Sequence, residues 1–125
     1  LLSLLEADAA GEAARGASDE QLARLQQLHD RLEKQVRQRD AFFATNEQFH
    51  MALLDVAGNR WRTQIVADLR KVMKLNRHHS LFKQGRLSDS LAEHRALLGA
   101  ITARESAKAA RLMREHFAGG LEAAA

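Results

Sequence analysis

The chain has 125 residues, a formal charge of +3, no Pro and no Cys, a length that suits one domain around a single core. Without Cys there are no disulfides and no thiolate metal sites, which fits a reducing, cytoplasmic setting. The apolar runs are only a few residues long, so no segment is expected to span a membrane, and Leu1–Leu5 is too short and lacks the basic flank of a signal peptide.

Abundant Leu, Ala, Glu, Gln, Lys and Arg, with few β-branched residues, predict helices, because these side chains lose little rotamer freedom there. The first helix is expected from about Leu1 to Arg15, with Leu1, Leu2, Leu5, Ala9 and Ala13 along one side and Gly16 as its stop. Ser18 and Gln21 form a capping-box signature for the second, whose stripe is Leu22, Leu25, Leu28, Leu32 and Val36. His29 at the edge of that stripe reads as a packing or surface histidine.

The third helix is expected from near Asp40 to Ala57, ending on Gly58 as a left-handed cap, with Asn59 free to cap the next. The fourth runs from about Arg60 to Phe82, with Trp61, Ile65, Leu69, Val72 and Met73 predicted inward. Its basic series, Arg60, Arg62, Arg70, Lys71, Lys74 and Arg77 with Lys83 beyond, reads as an ordinary solvated face; it lacks a nucleic-acid reading motif. Ser88 or Asp89 is placed to cap the fifth helix, which carries Leu91, His94, Leu98 and Ile101. The sixth starts near Glu105 with Ala109, Leu112, Met113, His116 and Phe117, and Gly119–Gly120 is expected to release the chain. Short connections imply antiparallel neighbours, so the predicted fold is an all-α antiparallel bundle of about six helices. The chain is read as one domain over residues 1–125 that opens abruptly in helix-like sequence without Met, so an N-terminal partner module is expected.

Three histidines stand where these stripes call for apolar residues. Asn46 and His50 lie four residues apart, about 40° around a helix, and project from one face. His94 replaces an apolar residue in the fifth stripe and His116 does so in the sixth. Buried imidazoles need partners, and a divalent metal satisfies several at once. The plainer reading is three hydrogen-bonded core histidines. His78 and His79 read as partly exposed.

Catalytic motifs are lacking. HExxH is absent, Glu47-x-x-His50 has no second copy as a di-iron bundle needs, and there is no nucleophile elbow, phosphate loop or dinucleotide fingerprint. Glu93 and Glu115 precede their histidines by one residue, which turns them about 100° from the histidine face. An enzyme is therefore not expected; a metal-dependent helical-bundle enzyme and a metal-free structural or interaction bundle are the alternatives.

The ordered set Leu5-Glu6, Asn46-x-x-Phe49-His50-x-x-Leu53, Ala57-Gly58-Asn59, Glu93-His94 and Arg114-Glu115-His116 resembles the C-terminal effector-binding FCD domain of GntR-type transcription regulators of the FadR subfamily. The resemblance implies a homodimeric helical bundle that follows a winged helix-turn-helix. It would bind a small, anionic metabolite such as an organic acid, and act on DNA only through that N-terminal module. It also implies a divalent metal, zinc or nickel, held by Asn46, His50, His94 and His116 in support of effector binding. Position 46 holds Asn where metal-binding members often have Asp, so the site has one negative charge fewer. An Arg that often precedes Leu5-Glu6 corresponds to Leu2, which leaves Arg77 as the candidate effector contact.

Overall fold

The computed structural model describes the backbone of residues 1–81 and 85–124 and the side chains of residues 1–74 and 85–120. Six helices follow one another: α1 (Leu2–Gly16), α2 (Asp19–Lys34), α3 (Arg39–Ala57), α4 (Arg60–Leu81), α5 (Arg86–Thr102) and α6 (Ser106–Ala124). Among the described residues there is no strand, and no helix is long and apolar enough to cross a membrane. The all-α bundle expected from composition is what forms.

α1 is the inner helix. Ala7, Ala9, Ala10, Gly11, Ala13 and Ala14 are all buried, and these small side chains let other helices approach closely. Its most extensive packing is on α6, with further contact to α3, α4 and α5. At Gly11 a Cβ would lie 3.2 Å from Ser106 Oγ, and that hydroxyl donates to Gly11 O at 2.9 Å. The larger core residues come from around α1: Leu25, Leu28 and Leu32 of α2, Phe42, Phe49 and Leu53 of α3, Leu97 and Ile101 of α5, and Met113 of α6.

Several ends follow local chemistry. Ser18 and Gln21 exchange the two capping-box hydrogen bonds, and Gly58 closes α3 at φ 82°. Asn59 Oδ1 accepts from the Trp61 and Arg62 N–H groups, each at 3.1 Å, so only Gly58 and Asn59 separate α3 from α4.

Three expectations are corrected. α5 starts at Arg86 after Gly85 at φ 77°, with no side-chain cap, so neither Ser88 nor Asp89 caps it: the left-handed glycine sets the start earlier. α6 continues through Gly119 and Gly120 to Ala124, because packing against α1 and α5 outweighs the poor helix propensity of glycine.

The third concerns the phase of α4. Trp61, Ile65 and Val72 are exposed (70%, 47% and 82%), while Val66, Arg62 and Arg70 are buried. Both arginines, expected on a solvated face, are covered because carboxylates meet them. Arg62 donates to Asp8 at 2.5 Å and to Glu12 at 2.8 Å, and Arg70 is held by Glu6 and Glu47.

Candidate metal centre

Asn46 and His50 share one face of α3, His94 projects from the middle of α5, and His116 comes from α6. The helices bring all four into the interior: His94 is fully buried, His50 1% exposed, Asn46 6% and His116 9%. One ring nitrogen from each histidine lies within 4.8 Å of the others, close enough for the three to form a metal site. The ring centroids are 4.8 Å apart for His94 and His116, 5.1 Å for His50 and His94, and 5.4 Å for His50 and His116. Phe49 packs on His94 at 4.8 Å and Phe117 flanks His116 at 6.0 Å, so the walls are apolar.

Two carboxylates fix two of the rings. Glu6, fully buried on α1, lies 2.5 Å from His50 Nδ1. Glu93 of α5 lies 2.5 Å from His116 Nδ1. With Nδ1 engaged in each case, the ring offers Nε2 to the centre of the cluster. Each carboxylate meets a buried arginine in turn. Arg70 Nη1 donates to Glu6, and the same guanidinium forks onto Glu47 at 2.8 and 3.0 Å. Arg86 forks onto Glu93 at 2.8 and 3.0 Å.

The electrostatics follow from these neighbours. Burial lowers the His94 pKa well below the ordinary histidine value, and the nearby His116 and His50 lower it further, so His94 is a neutral imidazole, the form that binds metals. Burial by itself would raise the Glu93 carboxyl, but the hydrogen bonds from His116 and Arg86 win and hold it at about 2. Burial opposes the charge of Arg70, and Glu6 and Glu47 outweigh it, so that its pKa is raised. Glu93 is thus ionised and Arg70 charged in the folded protein.

The donor set suits a divalent cation. Asn46 Oδ1 and both ring nitrogens of His94 are buried without a hydrogen-bond partner, whereas buried polar atoms are ordinarily paired. Three imidazoles and an amide oxygen match a borderline metal such as zinc or nickel. Glu47, next to Asn46 in sequence, adds no carboxylate to this set: its oxygens take the Arg70 fork.

The sequence-derived residues divide accordingly. Asn46, His50, His94 and His116 come together. Arg77 lies outside the residues whose side chains are described, as do His78 and His79. His29 is buried, but on α2 it pairs with Glu33 at 2.8 Å and stays apart from the cluster. The roles of Glu6, Glu93, Arg70 and Arg86 were not read from the sequence. Glu6 gave no distinct signal, since it is one of four charged residues, with Asp8, Glu12 and Arg15, in an Ala-rich helix. For Glu93, the 100° offset from His94 that seemed to remove it from the site instead points it at the neighbouring helix, where His116 waits.

The chain is thus an all-helical bundle around a buried three-histidine cluster. The family model for the FCD domain matches residues 1–119, and the chain belongs to that family of regulatory effector-binding domains. No match is found among curated proteins.

Proposed function

We propose that the chain is the effector-sensing part of a GntR-type transcription regulator of the FadR subfamily. In this reading Asn46, His50, His94 and His116 hold one divalent ion, zinc or nickel. A small anionic metabolite, an organic acid, binds at or beside it. When bound, such an ion supplies a positive anchoring point for a carboxylate. The chain's own residues set the ligand geometry, keep water out through Phe49 and Phe117, and maintain His94 as a neutral donor. DNA would be reached only through an attached winged helix-turn-helix, and the effector would act by binding the two states of a homodimer with different affinities.

The observation that carries this reading is the convergence of three buried imidazoles with the unpartnered Asn46 Oδ1. The metal-free structural bundle accounts poorly for His94, which is fully buried with neither ring nitrogen hydrogen-bonded. Elemental analysis of untagged protein tests the ligand set: about one divalent ion per chain is expected, and none in the His94→Ala/His116→Ala double variant. Stoichiometric metal retained by that variant would reject these ligands. With metal present, a panel of organic acids should include one that raises the melting temperature through binding to the folded state; a panel without any shift would remove the acid-sensor reading.

A further inference from the structure

The geometry points to Glu6 and Glu93 as positioning residues of the metal site, each locked by a buried arginine, with Gly119 providing the space that lets Glu93 reach His116. This rests on the metal reading above and extends it to residues that touch no ion. His50 and His116 are built alike. Each presents Nδ1 to a carboxylate at 2.5 Å, and each carboxylate is engaged by an arginine at most 5% exposed, Arg70 or Arg86. A carboxylate accepts a hydrogen bond from Nδ1–H and so selects the tautomer that keeps its lone pair on Nε2. It also holds the ring's orientation and raises its basicity as a ligand.

The arginines do more than balance charge. Arg86 donates from both Nη atoms to Glu93, leaving Oε1 shared between Arg86 and His116. That fork fixes the carboxylate plane, which a single point charge would not do. Arg70 ties Glu6 of α1 to Glu47 of α3, so the support of His50 crosses three helices.

Gly119 follows from the same arrangement. A Cβ there would lie 3.1 Å from Glu93 Oε2 and 3.5 Å from Arg86 Nη1, while the neighbouring Gly120 has open space around the same position. The sixth helix therefore carries a glycine where the Glu93–Arg86 pair lies against it. Adding one methyl group at position 119 changes no charge and favours the helix, yet it presses on the carboxylate that orients His116, which must give by a few tenths of an ångström.

The test is zinc affinity, measured by competition with a chromophoric chelator, for untagged wild type, Glu93→Gln, Glu93→Asp, Glu6→Gln and Gly119→Ala. Cobalt(II) absorption spectra and far-ultraviolet circular dichroism of the metal-free proteins accompany it. Glu93→Gln and Glu6→Gln should bind about 10- to 100-fold more weakly, with Glu93→Asp between Glu93→Gln and wild type. Gly119→Ala should weaken binding by more than about twofold, less than the carboxylate substitutions, and alter the cobalt spectrum while its metal-free helix content stays at the wild-type level. If Glu6→Gln fails to fold, Glu93→Gln and Gly119→Ala decide. Wild-type zinc binding with Glu93→Gln and Gly119→Ala both within about twofold of it would overturn the positioning role. Wild type that binds no zinc would overturn the metal reading itself, and this inference with it.

Discussion

His94 states the residue-scale question most sharply: a fully buried imidazole, held neutral by burial, with neither nitrogen paired. Such a group costs about 1–3 kcal/mol when left unsatisfied, so in metal-free protein it contributes little to the fold. Replacing it with an apolar ring of similar breadth, His94→Phe, should leave the metal-free melting temperature unchanged or raise it, and should erase the stabilisation that zinc gives wild type. Thermal melts with and without zinc check this; a fall of more than about 2 kcal/mol in the metal-free variant would mean that His94 is a structural hydrogen-bonding residue after all. The three histidines were legible because each stands among the apolar residues of a helical stripe, and Asn46 because it lies one turn before His50. Their supports were not. Glu6 and Arg70 are 64 positions apart, and a charged residue read alone registers as solvent-facing. Only the pairing makes its burial affordable, and nothing local to either residue announces it.

At the scale of the helix, local chemistry predicts ends well and faces less well. The Ser18–Gln21 box and the Gly58 cap involve residues three or four apart, so the sequence displays both partners at once. Ser18→Ala should cost about 1 kcal/mol, seen as a lower midpoint in urea at constant m-value; an unchanged midpoint would show that the connection between α1 and α2 holds without its cap. The phase of α4 was misread because that helix has two apolar stripes. Trp61, Ile65 and Val72 fall within about 40° of one another and make the cleaner stripe, but they face outward. The inward stripe mixes Val66, Leu69 and Met73 with Arg62 and Arg70, and counting arginine as polar hides it. α6 shows the converse: two glycines looked like an ending, and tertiary packing carries the helix past them.

At the scale of the whole molecule, Trp61, Ile65 and Val72 leave an apolar stripe of α4 uncovered among the described residues, with the Arg60 guanidinium lying 4.6 Å over the Trp61 ring. If the proposed homodimer forms through this stripe, it removes from water apolar area that aqueous exposure disfavours. Sedimentation of wild type should give a dimer, and Trp61→Glu/Val72→Glu should shift it to monomer while retaining zinc. A variant that remains dimeric would place the interface elsewhere. The stripe is exposed and the histidine cluster buried, so the double variant leaves the proposed metal ligands in place.

The central claim is that one ion is shared by His50, His94 and His116 with Asn46. Zinc-edge X-ray absorption on untagged protein loaded with one equivalent of zinc tests it most directly. The account predicts a first shell with zinc–nitrogen distances of about 2.0–2.1 Å and the outer-shell scattering of three imidazoles. A shell of oxygen alone, without imidazole scattering, would contradict it.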